Sequence, residues 1–411
     1  MRKQPIQGGS VHPYLRRRAG QEPAVCPHPL MERALGKTLG VPIFQEQMMQ
    51  LAIDCAGFSG AEADRLRQAM GSKRSHQRVA ELHRRLLDGM AARGIPQAVA
   101  EDICTKIEAF SNYGFPESHS ISFAYLVYAS AWLKHHYPAA FTCALLANQP
   151  MGFYSPLSLI SDARRHGVAV HPVDVNASLD RPTLTGPRDA PAIRLGLSTV
   201  RGLGEAQAQA VAAGRPYRDL EDFAHRTGLP AATMEALATT GAFHCFGLTR
   251  RQALWAAGAL AVGGPDLLPG TTPGTTAPEL PAMTPVEETI ADLWATGASA
   301  TSHPVEHIRP WLDHCGALPA VALPGIAHGS AVMVGGLVTH RQRPPTAGGV
   351  LFLSLEDETG LINVVCNRPV WQAHRRTVLD RAGLFIHGRI ERDRGATNLI
   401  ATRITPLRVA V

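Results

Sequence analysis

The amino-acid sequence predicts a multidomain α+β fold, in which a mostly α-helical region is followed by a five-stranded β-barrel. Between residues 41 and 255, apolar residues recur at helical spacing in segments that end at Gly or Pro. Residues 256–285 are rich in Gly, Pro and Thr, which indicates a linker. Beyond residue 331, short apolar runs predict five strands with a helix between the third and the fourth, which is the order of an OB-fold.

Composition limits the class of protein. A chain of 411 residues accommodates about two to four domains. The net charge of +6 is compatible with a polyanionic partner but does not require one. The seven cysteines include no CxxC pair and no Cys/His pair at zinc spacing, so we expect reduced thiols and no metal site. The N-terminus lacks the apolar segment of a secretory signal, and we expect a cytoplasmic protein without a membrane partner.

Helices are predicted from Val41 onward, after an irregular and basic segment. The cluster Arg16–Arg18 in that segment is compatible with a solvated patch or with a DNA contact. Ser59 and Glu62 have the spacing of a capping box, which predicts a helix start. The predicted helices run from Phe44 through Cys55, from the capping box to Gly71, from beyond Ser75 to Arg93, and from Gln97 to Asn112.

The stretch 110–137 predicts a polar loop that leads into a buried helix over Ile121–Leu133, because nearly all of the helical residues are apolar or small. It is too short to span a bilayer, which needs about 20 apolar residues. Ser118, His119 and Ser120 precede the helix, and the N–H groups at a helix N-terminus favour phosphate. The alternative is a capped core helix with no ligand.

Several segments resemble bacterial DNA polymerase III alpha subunits, the C-family replicases. YGFPESHSISFAYLVYASAWLKHHYPAAF is similar to a block of the fingers subdomain that lies next to the incoming nucleotide, and RLRQAMGSKR resembles a second fingers block. GGSVHPYLRRR is closer to the error-prone paralogues. The resemblance implies a nucleotide-binding set whose members stand at Gly-broken or Ser-flanked helix ends. The alternative for the Arg and Lys residues is solvent exposure, and the alternative for His119 is that it only caps the helix. This set comprises Arg67, Lys73, Arg74, Ser118, His119 and Ser120.

After a short strand at Ile193–Leu197, residues 198–246 predict a tandem helix-hairpin-helix. Arg201, Gly202 and Gly204 form a glycine-containing turn before a helix, where N–H groups can approach a duplex phosphate. Residues 229–246 supply a second half-motif, and the pair resembles the duplex-binding tandem of the same polymerases. Such a site contacts the DNA backbone and carries no sequence information.

The predicted OB-fold resembles nucleic-acid-binding OB domains, and its basic and aromatic residues suit a single strand. Arg341 and Arg389 lie in or beside predicted strands, from which both could face one groove, and Glu356–Glu358 is read as surface. The alternative is a barrel that acts as a spacer or a protein docking site. The predicted single-strand contacts are Arg341, Arg343, Phe352, Arg389 and Arg394.

The palm carboxylates of the family are not found, since no two Asp residues stand two apart. We therefore assign no catalytic residue, expect the chain alone to be inactive, and assign the Mg²⁺ of the intact polymerase to ligands outside it. Gln252–Trp255 lies in a predicted helix and is read as packing. No clear sliding-clamp peptide is present, as in the error-prone branch, where an accessory protein is thought to make that contact.

The resemblance implies the C-terminal portion of an error-prone DNA-directed DNA polymerase that acts in damage-linked, translesion synthesis. Its partners would be primed duplex, single-stranded DNA, dNTP, a palm-bearing polymerase chain and the accessory clamp-contacting protein. The alternative is a stand-alone, non-catalytic DNA-binding protein. The predicted domains are a fingers portion at 1–175, a helix-hairpin-helix domain at 176–255, a linker with helices at 256–325 and an OB-fold at 326–411.

Overall fold

The computed structural model describes residues 11–70, 75–110, 116–152, 154–262, 274–344, 347–393 and 395–407. These residues divide into two compact units, which span Met1–Trp132 and Leu133–Val411. Each unit has apolar cores of its own. The predicted domain limits at residues 175, 255 and 325 are finer than this division and stay predictions.

The first unit is helical. Its helices are α1 (Val11–Arg18), α2 (Glu32–Leu35), α3 (Gln45–Ala56), α4 (Gly60–Met70), α5 (Ser75–Ala92), α6 (Gln97–Phe110) and the greater part of α7 (Glu117–His136). The capping box is confirmed, because Ser59 Oγ accepts the N–H of Glu62 and the Glu62 carboxylate accepts the N–H of Ser59. The segment before Val41 is not irregular throughout. The three arginines Arg16–Arg18 form the last turn of α1, where cations oppose the negative end of the helix dipole.

Close packing of α3 against α5 forms the centre of the first unit. Met48 and Leu51 of α3 are fully buried with Leu86 and Met90 of α5. Gly89 lies where α5 passes the end of α3, and a Cβ there would stand 2.1 Å from the carbonyl oxygen of residue 56. The missing side chain therefore allows the two helices to touch through their backbones.

The prediction that the helix after His119 is buried is wrong. α7 begins at Glu117, earlier than the predicted Ile121, and none of its residues is buried. Its first residue is fixed in the first unit, because the Glu117 carboxylate pairs with Lys37 and its N–H donates to Glu46 at 2.9 Å. The apolar pattern correctly predicts a helix, but such a pattern does not say whether another part of the same chain covers its side chains.

The helical part of the second unit contains a small three-stranded sheet. Strand β3 (Ala192–Arg194) pairs in parallel with β1 (Val170–His171) and antiparallel with β2 (Thr183–Thr185). Phe223 and Phe243 are fully buried in the core beside it. The helices are α8 (Pro138–Ala147), α9 (Pro156–Arg165), α10 (Glu205–Ala213), α11 (Leu220–Thr227), α12 (Ala231–Thr239), α13 (Arg250–Val262), α14 (Pro285–Thr296) and α15 (Arg309–His314).

The rest of the second unit is a closed five-stranded barrel, so the predicted OB-fold is confirmed. The strands follow the order β4-β5-β6-β8-β7, with β6 and β8 parallel and the other pairs antiparallel. α16 (Arg368–Asp380) connects the third and fourth strands, as predicted. The strands are β4 (Ala331–Gln342), β5 (Leu351–Asp357), β6 (Gly360–Cys366), β7 (Gly383–Asp393) and β8 (Ala396–Pro406).

The acidic end of β5 is not a surface feature, which corrects the expectation for Glu356–Glu358. Glu356 and Asp357 are buried, because α9 and α15 cover this end of the barrel. Glu356 accepts from Ser158 Oγ at 2.5 Å, and Asp357 accepts from Arg309 at 3.0 Å. The sequence gives no sign of these partners, which are up to 198 residues away.

Candidate nucleic-acid interface

The first hairpin runs from Val200 to Gly204 and leads directly into α10. Gly202 has a φ of +79°, a backbone conformation that favours glycine, and both Gly202 and Gly204 are exposed. Gly204 is the residue before the helix, and its N–H donates to Gln207 Oε1. Leu203 is buried and fixes the turn to the core. The hairpin therefore presents backbone at the surface next to a helix N-terminus, which is the geometry that a duplex phosphate requires.

Two helices outside the hairpin hold it in place. The N–H of Arg201 donates to the carbonyl of Ala295 in α14 at 2.7 Å. Thr233, at the start of α12, donates through its hydroxyl to the carbonyl of Gly202 at 3.4 Å. The predicted domain limit at residue 255 therefore separates the hairpin from α14, one of its two supports.

Trp294 is a functional candidate that the sequence analysis missed. The guanidinium of Arg201 lies 5.1 Å from the centre of the Trp294 ring, within the range of a cation–π contact. Both side chains are exposed, so the tryptophan can hold the arginine beside the hairpin while leaving it accessible from solvent. Val286, Ile290 and Trp294 stand four residues apart and are all exposed, so they form an apolar stripe on one face of α14. This spacing was the signal in the sequence that could have identified Trp294.

An acidic side chain, Glu205, directly follows the first hairpin. Glu205 is the first residue of α10, and its carboxylate pairs with Arg181. The two residues also line a pocket of about 370 Å³ between α8, α9 and the start of α10. A carboxylate at a helix N-terminus is electrostatically favourable, so Glu205 interacts with the partial positive charge that would also attract a phosphate.

The second half-motif is built from α12, a turn with Gly241 at φ +77°, and α13. Arg250 at the start of α13 connects three elements. Its Nη1 donates to the carbonyl of Thr239 and to Asp292 of α14, at 3.0 and 2.6 Å. Burial raises the pKa of Asp292, and Arg250 and Ser299 oppose that shift. α14 is therefore bound to both hairpins.

One outer face of the barrel combines aromatic and polar side chains. Phe352 is half-buried on β5 and pairs across the strands with Val365, while Ser354 pairs with Asn363. On the other side of β5, Ser354 pairs with His340. The sequence analysis identified Phe352 but missed His340 and Asn363, although the alternation of apolar and polar residues along these strands was a usable signal.

The predicted arginines of the barrel do not lie together. Arg389 pairs with Ala331 at one end of β4, whereas Arg341 is ten positions further along that strand, roughly 30 Å away at about 3.3 Å per residue. Their contact with one single strand stays a prediction. Arg341 donates to the carbonyls of Val378 and Arg381, and Arg389 donates to that of Gly329. Arg343 is exposed, and Arg394 lies outside the described residues.

The predicted nucleotide-binding residues are described only in part. Arg67 pairs with Asp64 of its own helix at 2.8 Å. Ser118 and His119 are exposed on the first turn of α7, where the His119 ring lies 4.4 Å from that of Phe123. Ser120 is half-buried on the same turn. Lys73 and Arg74 lie outside the described residues, so the nucleotide-binding role predicted for them together with His119 stays a prediction.

Within the ranges that the structure describes, no group of three or more His, Cys, Asp or Glu side chains is arranged to hold a metal ion. Among the same residues, no helix has both the length and the apolar content needed to cross a membrane.

Three family models match separate parts of the chain. The bacterial DNA polymerase III alpha subunit finger domain matches residues 1–94, the helix-hairpin-helix motif matches 167–253, and the OB-fold nucleic acid binding domain matches 332–407. The predicted resemblance is thus confirmed for these segments. α7 and α14 lie outside all three matches.

Several curated relatives align with the whole chain or nearly all of it. The error-prone DNA polymerases of Mycobacterium bovis and Mycobacterium tuberculosis are each 53% identical over 416 residues, with 100% of this chain and 38% of the relative covered. The error-prone DNA polymerase of Nocardia farcinica is 52% identical over 418 residues, with 98% of this chain and 36% of the relative covered. The chain therefore spans less than two fifths of the length of these relatives.

Proposed function

Because the chain is homologous along its full length to the C-terminal part of error-prone DNA polymerases, we propose that it is the DNA-handling part of such an enzyme. The observation that carries the proposal is the first hairpin. Gly202 and Gly204 bring exposed backbone to the N-terminus of α10, and Arg201 stands beside them on Trp294. Backbone N–H groups and an arginine at one helix end are suited to a duplex phosphate.

The barrel provides the second part of the proposal. Its outer face around Phe352 supplies an aromatic ring for stacking on a base, with His340, Ser354 and Asn363 as hydrogen-bonding neighbours. This combination suits single-stranded template better than duplex, because the bases of a single strand are free to stack on protein.

In the intact enzyme, the chain would act next to the dNTP during damage-linked, translesion synthesis. Mg²⁺ would be held by carboxylates in the region of the relatives that this chain does not span. The proposed partners are primed DNA, a palm-bearing polymerase region and an accessory protein for the sliding clamp. The proposed location is the cytoplasm, where the DNA of a bacterium lies.

Duplex binding by the chain itself tests the proposal. Gly204 has a φ of −68°, and a Cβ there would have only Gln207 Oε1 nearby, at 3.8 Å, so Gly204→Val is compatible with the fold. Its methyl groups would keep a phosphate from the hairpin. We expect affinity for primed duplex to fall about tenfold, equivalent to about 1.4 kcal/mol.

Gly325→Val is the matched control, because Gly325 is also exposed, has no φ in the left-handed region and has open space around its Cβ position. It should bind as the unmodified chain does. The slope of log affinity against log salt should be about −0.9 per phosphate contact and should become shallower in Gly204→Val. Equal affinities for Gly204→Val and Gly325→Val would contradict the assignment of the hairpin to DNA.

A further inference from the structure

Helix α7 exposes an apolar surface on all sides. Six large side chains, here called the α7 apolar surface, are exposed within two turns of one another, and Tyr125 and Tyr128 reach 73% and 74% exposure. A helix that is apolar all round is normally enclosed by protein or lipid. The α7 apolar surface consists of Ile121, Phe123, Tyr125, Leu126, Val127 and Tyr128.

The charge pattern identifies the class of partner. No Asp, Glu, Lys or Arg occurs from Ser118 to Leu133, whereas 18% of the whole chain is charged. A nucleic-acid backbone requires Lys or Arg, so this surface does not suit DNA. Aromatic and aliphatic side chains without charge are typical of the buried centre of a protein–protein interface, in which Tyr is enriched.

The size of the surface also fits one protein partner. α7 has 20 residues, so it is about 30 Å long. With a diameter of about 10 Å its lateral surface is on the order of 900 Å². One side of a stable protein–protein interface buries about 800 Å². Covering most of α7 therefore corresponds to one interface of ordinary size.

The relatives indicate which protein would cover the α7 apolar surface. They match this chain at 53% identity over a region that includes α7, yet 62% of their length lies outside the match. We propose that the α7 apolar surface docks onto the polymerase region that the relatives carry and this chain does not span. The inference rests on the proposed function, since it takes the partner from the same polymerases.

Anchoring of the helix supports the proposal. Glu117 is fixed through its carboxylate to Lys37 and through its N–H to Glu46. The helix is therefore held at its first residue by the first unit, while the following turns leave their side chains in solvent. A helix held in this way can receive a partner without refolding, which limits the entropy lost on binding.

Co-purification tests the proposal. The tagged full chain is expressed together with the remaining part of the Mycobacterium tuberculosis error-prone polymerase as a separate polypeptide. We expect the two to purify together, and we expect Tyr125→Asp or Tyr128→Asp to weaken the apparent affinity at least tenfold. Val321→Asp is the control, since Val321 is 68% exposed and lies outside α7. It should leave co-purification intact.

A second measurement examines the chain alone. In Tyr125→Cys, the introduced thiol should react with iodoacetamide as quickly as an unprotected thiol, and the added polypeptide should slow that reaction at least tenfold. Mass spectrometry of the peptide separates this reaction from that of the exposed Cys245. Slow reaction without the partner would overturn the proposal, because α7 would then be covered within the chain or by a second copy.

Other outcomes also overturn the inference. If the two polypeptides do not purify together, the missing polymerase region is excluded as the partner of the α7 apolar surface. The same conclusion follows if Tyr125→Asp and Tyr128→Asp leave co-purification unchanged. A dimeric mass that Tyr125→Asp reduces to a monomer would assign the surface to a second copy. Binding to phosphatidylglycerol vesicles that Tyr125→Asp abolishes would assign it to a membrane. Duplex binding through the hairpin is measured on the chain alone, so failure here is distinguishable from failure of the proposed function.

Discussion

At the scale of single residues, the packing of the first unit depends on Gly89, because a glycine has no side chain to separate two adjacent helices. Gly89 stands inside α5, where Ala normally stabilises a helix by about 1 kcal/mol relative to Gly. At this position, however, a Cβ would meet the carbonyl oxygen of residue 56 at 2.1 Å, and that backbone is held by Arg85 as well. Steric overlap therefore outweighs helix propensity.

We predict that Gly89→Ala destabilises the first unit by about 1–3 kcal/mol, because α3 and α5 must move apart. Hydrogen exchange of peptides from these two helices, followed by mass spectrometry, measures the effect locally. Gly60→Ala is the control, since Gly60 lies at the start of α4 with open space around its Cβ position. Slower exchange in Gly89→Ala than in the unmodified chain would show that the helices accommodate the methyl group.

The buried histidine His303 is expected to make the stability of the second unit depend on pH. Burial lowers the pKa of His303 from 6.5 to about 4; the carboxylate of Asp357 opposes this shift, and Arg165, Arg164 and His307 add to it. Nδ1 of His303 accepts the N–H of Val305 at 3.2 Å, so the folded protein holds the neutral ring.

Because the folded-state pKa of His303 is depressed, its contribution to stability is present above pH 6.5 and is lost as the pH falls towards 4. The full loss is on the order of 3 kcal/mol. We predict that His303→Asn, whose amide oxygen can replace Nδ1, makes the unfolding temperature of the second unit less sensitive to pH between 6.5 and 4.5. The exposed His314→Asn should leave the pH slope unchanged. Identical slopes in all three proteins would contradict a neutral His303.

At the scale of elements, the outer face of β5 and β6 is the proposed single-strand site. Its aromatic member is Phe352, which pairs across the strands with Val365. Stacking of a base on an aromatic side chain contributes about 1–3 kcal/mol.

We predict that Phe352→Ala in the full chain lowers affinity for oligothymidylate by about 5- to 150-fold. Leu361→Ala is the control, because Leu361 is exposed on the same face of β6 but pairs with Glu356 at its other end. Circular dichroism checks that both variants stay folded, and fluorescence anisotropy gives the affinities. Equal losses in both variants would favour a general change of the barrel, and no loss in either would favour its alternative role in docking protein.

Elements were predictable from the sequence where their cause is local. The capping box at Ser59 and the order of strands and helix in the barrel depend on spacing along the chain, and both were predicted correctly. The exposure of α7 and the burial of Glu356 depend on which distant segment covers a surface. Likewise, the support of the first hairpin by Ala295 joins residues 94 positions apart, which no local pattern reveals.

At the scale of the second unit, buried charges fix the barrel to the helices around it. Arg309 of α15 donates to both Asp357 and Glu358, at 2.6–3.1 Å. Glu356 faces α9, where Ser158 donates at 2.5 Å and Arg165 lies 3.4 Å away. Taking these groups out of water is costly, so each remains tolerable only with its partners in place. The duplex site and the single-strand site are thereby held on one framework.

Removing Arg165 alone should therefore destabilise the fold more than removing Arg165 together with the negative charge of Glu356. Burial raises the pKa of Glu356, an effect that Ser158 and Arg165 oppose. We predict that Arg165→Met costs about 3–5 kcal/mol at pH 7.5, since it leaves a buried carboxylate without its cation. Adding Glu356→Gln to Arg165→Met should recover most of that loss, because a neutral amide can still accept from Ser158.

Thermal unfolding of the two single variants and the double variant gives the coupling between the residues, which we expect to exceed about 1 kcal/mol. Because the pKa of Glu356 is raised in the folded state, lowering the pH protonates it and should reduce the penalty of Arg165→Met. Arg164→Met is the control, as the same replacement one residue earlier on α9. A penalty that is equal at pH 7.5 and pH 5, or that Glu356→Gln does not relieve, would mean that Arg165 acts through packing and not through its charge.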